Sequence, residues 1–152
     1  MDIFNDDFQD FIECLNKNRV KYILVGGYAV IIRGYSRSTG DMDIWVEKSQ
    51  ENYQKILHAI ITFGLPPFAI PKEQFFSKDF DVFSFGRPPY AIELLTEVKG
   101  LDFDTAFEKA TIETINELQV KVVHLNHLIA AKKAAGRFKD LNDLENLPSS
   151  ED

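Results

Sequence analysis

Two aspartates, Asp41 and Asp43, open the apolar run D-M-D-I-W-V, and a glycine pair, Gly26 and Gly27, precedes them across a polar link. Strand residues two apart project to one face about 6.5 to 7 Å apart, so Asp41, Asp43 and Trp45 share one side while Met42, Ile44 and Val46 share the other. At an effective dielectric near 20, two such carboxylates repel by roughly 3 kcal/mol, and a divalent cation removes that repulsion. Hard oxygen ligands describe a magnesium site better than a zinc site. A bare D-x-D also fits a solvated strand face. Glu93, flanked by Ile92 and Leu94 in a run that reads as a buried strand, needs a partner there and is the candidate third acid. Its alternative is an edge-strand glutamate turned to water. The second D-x-D, Asp79 and Asp81, sits at a strand entrance and reads as a solvated turn.

The candidate anion-binding residues lie around these acids. Glycines where a strand gives way to a helix let backbone amides approach an anion, although a tight turn would use the same pair. Arg37 is close enough in sequence either to reach a phosphate beside the aspartates or to pair with one of them. Lys132 falls inside the apolar arc of Leu125, Leu128, Ile129, Ala131 and Ala135, where its ammonium must find an anion or its stem must snorkel to water. His124 and His127, three apart with no further ligands, read as capping or core-edge residues. No G-x-G-x-x-G or Walker pattern occurs, which removes the dinucleotide and P-loop readings.

The elements that must position these residues follow from periodicity. Phe8, Phe11, Ile12 and Leu15 predict an amphipathic helix near 6–17, with Cys14 off the stripe. A strand at 22–25, a helical turn or two and the aspartate strand come next. A helix over 49–63 is opened by Ser49 and stopped by Gly64, Pro66 and Pro67. Strands at 80–85 and 90–95 are joined through Gly86, Arg87, Pro88 and Pro89. A short helix over 102–109, β-prone runs at 111–115 and 118–123 and a helix over 126–135 complete the body. In the last helix, Phe138, Leu141, Leu144 and Leu147 form the apolar stripe, with Asp140 and Asp143 on the other side.

Composition bounds the function. A chain of 152 residues, 45% apolar and with thirteen phenylalanines, is read as one domain over 1–152. One cysteine excludes an intramolecular disulfide and points to a reducing, cytoplasmic setting. The longest apolar run, 23–32, is about half of a bilayer crossing, and the acidic first residues do not read as a signal peptide. A net charge of −7 argues against a protein that coats nucleic acid. A local basic patch is left at Lys132, Lys133, Arg137 and Lys139, offset by the acidic tail over 140–152.

Taken together, Gly26-Gly27, a spacer and Asp41-Met42-Asp43-Ile44 resemble the signature of the DNA polymerase β-like nucleotidyltransferase superfamily. The R-x-T-x-D-x-D form of Arg37, Thr39, Asp41 and Asp43 looks like the small bacterial AbiEii-like branch. So do the IELLTEV segment and the run through Lys132, Arg137, Lys139, Asp140 and Asp143. The resemblance covers residues 20 to 147. It implies an α+β fold, a mixed β-sheet flanked by helices with further helices at the C-terminal end. It also implies two magnesium ions, with manganese as a substitute, held by Asp41, Asp43 and Glu93. A nucleoside triphosphate would be cradled by Gly26 and Gly27, with Arg37, Thr39 and Lys132 about its phosphates, and an acceptor hydroxyl would attack the α-phosphate. The acceptor stays open between an RNA end, a protein side chain and a small molecule, and a toxin-antitoxin pair with a protein partner is one setting. The chain departs from the pattern at Gly27, where many relatives have serine, and at Glu93, where this branch more often has aspartate. Two other readings compete: a weakly active or inactive nucleotidyltransferase-like binding module working through a partner, and, less favoured, a D-x-D glycosyltransferase.

Overall fold

The apolar stripe near the start folds as expected, into α1 (Asp6–Lys17), and Asn5 caps it by accepting from the Phe8 amide at 2.8 Å. Cys14 is buried on that helix rather than off its inner face. The computed structural model describes residues 3–87 and 89–150; Pro88 of the expected turn, Asp2 among the acidic first residues, and Glu151 and Asp152 of the acidic tail lie outside the described residues. After α1 come β1 (Tyr22–Val25), α2 (Gly26–Ile32) and β2 (Met42–Val46). α3 (Gln50–Phe63) starts at Ser49, whose hydroxyl accepts from the Asn52 amide, and ends at Gly64. A 3-10 turn at Pro67–Ala69 and the single-turn helix α4 (Lys72–Phe75) were not foreseen; Phe75 anchors the latter in the core. The remainder runs β3 (Val82–Phe85), β4 (Ile92–Leu95), α5 (Phe103–Lys109), β5 (Thr111–Ile115), β6 (Leu118–Val122), α6 (Leu125–Ala135) and α7 (Phe138–Asn146).

Among the described residues the strands form one six-stranded sheet in the order β3-β4-β2-β1-β6-β5. It is mixed: β1 runs antiparallel to β2 and parallel to β6, and β2 runs parallel to β4. This is the α+β arrangement expected from the sequence. Helices cover both faces, which explains why the central strands are apolar almost throughout. On one face Leu24, Ile44 and Leu94 meet α1 and α3, where Phe11 packs edge-on to Phe63 and beside Phe85. On the other face Trp45 meets Phe103 of α5 edge-on at 5.1 Å. Asn52, 1% exposed, accepts from the Lys21 amide and donates to the Lys21 and Glu47 carbonyls, fixing the start of α3 to the ends of β1 and β2. No helix of the described residues is long and apolar enough to cross a membrane.

One expectation holds only at the end of the last helix, where Leu147 reaches the core and Leu144 is half-buried, and is reversed before it. On α7, Asp140 and Asp143 are 0% and 1% exposed, while Phe138 is 93% exposed and Leu141 also faces water. The acids turn inward because cations from elsewhere in the chain wait for them there.

Candidate active site

The strand register brings the acids together. β2 and β4 lie side by side with Asp43 opposite Glu93, and in a paired register both side chains leave the same face of the sheet. Asp41, one residue before β2, accepts from the Ala91 amide through Oδ1 at 3.0 Å, so the entrances of β2 and β4 are tied together at the acidic end. All three carboxyls line one cleft of about 800 Å³.

Crowding and burial leave their mark on the acids. The Asp43 carboxyl is pushed up from 3.8 to about 6, by burial first and then by the charges of Glu93 and Asp41; Lys139 and Lys132 pull it part of the way back. Glu93 is raised for the same reasons: burial, the charge of Asp41, and hydrogen bonding with the Asp41 carboxyl, with Lys139 opposing. Among the described residues no three acids, histidines or cysteines close into a chelate by themselves. The donor chemistry nevertheless suits a hard divalent cation: three carboxylates at the wall of an open cleft, with Asp43 and Glu93 raised in proton affinity by burial and by neighbouring charge.

The glycine pair is fitted against this group. Gly26, with φ of +72°, opens α2 directly over Asp43, and a Cβ there would fall on the Asp43 Oδ2 atom. A Cβ on Gly27 would fall on Thr39 Oγ1 and lie 3.4 Å from Arg37 Nη2. Side chains at either position would therefore displace the acid or the threonine. Gly26, Gly27, Thr39, Arg37 and Lys132 all line the same cleft as the acids.

Arg37 pairs with neither Asp41 nor Asp43. Its Nε and Nη2 atoms grip both oxygens of Asp143 at 2.7 and 2.9 Å, and Nη1 donates to the Ser38 carbonyl at 2.9 Å. Lys132 is buried, and its Nζ lies 3.2 Å from Asp140 and 3.0 Å from Asp143. Arg137 holds Asp140 through Nε at 2.7 Å. Burial alone would raise the Asp140 carboxyl, but the hydrogen bonds from Arg137 and Lys132 outweigh it and leave the group below its ordinary range.

Further residues shape the cleft: Asp140 lines it, and Asp143 stands behind the lining. Asp140 and Asp143 were placed on the wrong face; their i, i+3 spacing beside a lysine in an apolar arc is the signal that points to a buried ion cluster. Lys139 and Lys99, both exposed, add cations to the lining, and Val98, Leu101 and Leu95 add an apolar wall. His124 caps α6 by accepting from the Asn126 amide, as one of its two readings had it.

No protein-family model and no curated protein sequence matches the chain. Solved structures do. A candidate nucleotidyltransferase from Thermotoga maritima superposes with a TM-score of 0.59 at 12% identity, over 91% of this chain and 88% of that one. An antigenic nucleotidyltransferase-like protein from Paracoccidioides brasiliensis gives 0.52 at 15% identity, over 91% and 72%. The fold of this chain is thus the nucleotidyltransferase fold.

Proposed function

We propose that the protein is a metal-dependent nucleotidyltransferase that moves a nucleoside monophosphate from a nucleoside triphosphate to an acceptor hydroxyl. The observation that carries this reading is the convergence of Asp41, Asp43 and Glu93, from two paired strands, on a cleft that Gly26 and Gly27 also line.

In the reaction, the acceptor oxygen bonds to the α-phosphorus, the bond from that phosphorus to the α,β-bridging oxygen breaks, and pyrophosphate leaves. Such transfers depend chiefly on positioning and charge neutralisation, so the chain need supply no nucleophile of its own. Asp41, Asp43 and Glu93 would hold two magnesium ions, or manganese in their place, and these supply neutralisation of phosphate charge and activation of the hydroxyl. Glu93, as a ligand of one ion beside the acceptor, would help to take up the acceptor proton. Gly26 and Gly27, without side chains, leave the backbone open to the triphosphate, and Thr39 stands beside them. The basic wall that includes Arg37 and Lys132 favours the triphosphate's charge, while Val98 and Leu101 offer an apolar surface to the base. An RNA end, a protein side chain or a small molecule would serve as acceptor, and membership of the AbiEii-like branch would place the protein in a toxin-antitoxin pair.

The test is transfer of label from each α-labelled triphosphate, with magnesium or manganese and candidate acceptors, by wild type beside Asp43→Asn. Transfer by wild type that disappears in the variant supports the reading; equal transfer by both removes it. A second reading, a weakly catalytic module acting through a protein partner, is favoured by the acids not closing into a chelate unaided. It requires wild type and Asp43→Asn to perform alike in cells.

A further inference from the structure

We infer that Lys139, rather than Arg37 or Lys132, is the cation that meets the triphosphate, and that Asp140 and Asp143 hold the other two cations as a fixed frame. The inference rests on the nucleotide-binding reading above and names which residue of that site does the binding.

Arg37 is pinned: each of its three nitrogens already donates once, two of them to Asp143 and the third to the Ser38 carbonyl, so its guanidinium is held against α7 rather than free to follow a ligand. Lys132 sits between two carboxylates that are 0% and 1% exposed. Drawing its ammonium toward a ligand would leave both acids short of a buried counter-charge, and removing one partner of a buried ion pair is strongly unfavourable. Arg137 is committed to Asp140 through both its backbone amide and its guanidinium.

Lys139 differs on each count. It is exposed, it lines the cleft, and no carboxylate among the described residues lies in ion-pair range of it. It stands directly before Asp140 in α7, and both residues line the cleft that holds Asp41, Asp43 and Glu93. Lys99 also lines the cleft, but it follows β4 six residues past Glu93, at the end of that strand away from the acids. An ammonium on a flexible stem can follow a polyphosphate without breaking a buried pair, which is the mobility this position supplies.

The experiment titrates a non-hydrolysable triphosphate with magnesium, by calorimetry, into wild type, Lys139→Ala, Lys139→Arg and Lys132→Met, and records the Tm of each. Lys139→Ala is expected to weaken binding about 10-fold or more, with a shallower dependence on salt and an unchanged Tm, while Lys139→Arg keeps most of the affinity. Lys132→Met is expected to lower Tm and, where folded, to lose less affinity than Lys139→Ala. Wild-type affinity in Lys139→Ala overturns the inference, as does a large loss of affinity in Lys132→Met at unchanged Tm. If Lys132→Met does not fold, the Lys139 pair decides alone. Wild type that binds no triphosphate is a separate result: it removes the nucleotide reading, and this inference with it.

Discussion

At position 27 the absence of a side chain is a steric requirement of this chain rather than a lost contact. A Cβ there would collide with the Thr39 hydroxyl and come within 3.0 Å of Thr39 Cβ, so the threonine occupies the volume that a serine at 27 would need. Gly27→Ser and Gly27→Ala should each destabilise the protein by about 1–3 kcal/mol, the usual cost of forcing extra atoms into a packed site. Thr39→Ala in the same chain should recover part of that loss. Urea unfolding of the two single variants and the double variant measures the coupling. Additive losses would mean that Thr39 is not what excludes the side chain. At Gly26 the positive φ adds backbone strain to the collision with Asp43, so Gly26→Ala should be the more damaging change, for Tm and for nucleotide binding alike.

α7 is held on by charge where its sequence promises grease. Asp143→Ala would leave Arg37 without its bidentate partner and Lys132 with one carboxylate in place of two. The expected loss is about 3–5 kcal/mol, as for other broken buried pairs. Phe138→Ser, at a residue 93% exposed, should change stability by less than about 0.5 kcal/mol. Denaturant midpoints for the two variants decide between this helix and the one its apolar stripe describes, for which the order would be reversed. The same contrast explains what the sequence could show. β1, β2 and β4 were legible because alternation and apolar runs are local signals, and the face shared by Asp41 and Asp43 follows from a period of two. The pairing of Asp43 with Glu93 came from the need of a half-buried carboxylate for company, which is a local cost with a distant solution. The orientation of α7 was not legible, because what turns Asp143 inward is Arg37, 106 residues away, and no periodicity within nine residues of helix encodes that partner. The same cluster answers one half of the Arg37 alternative: the carboxylate it pairs with is Asp143, not Asp41 or Asp43.

A chain with net charge −7 that folds three acids onto one cleft stores repulsion in its native state, and the sign of the resulting pH dependence is fixed. Asp43 binds its proton more tightly folded, at about 6, than the ordinary 3.8 of an unfolded chain. Stability from this group is therefore fully present below the lower value and is lost as pH rises through the higher one. Without metal, the protein should be less stable at pH 7.5 than at pH 5 by about 1.4 kcal/mol from Asp43, with Glu93 acting in the same direction. Asp43→Asn should flatten that slope and raise Tm at pH 7.5 in chelator, since it keeps the shape and removes the charge. Magnesium should do the same for wild type through binding, adding about 2.7 kcal/mol at one hundred times its dissociation constant, and should do little for Asp43→Asn. Thermal unfolding from pH 5 to pH 8, with chelator and with magnesium, reads all of these effects in one series. A wild-type Tm that neither falls toward pH 8 in chelator nor rises with magnesium would mean that the three carboxylates are not held close enough to need a cation.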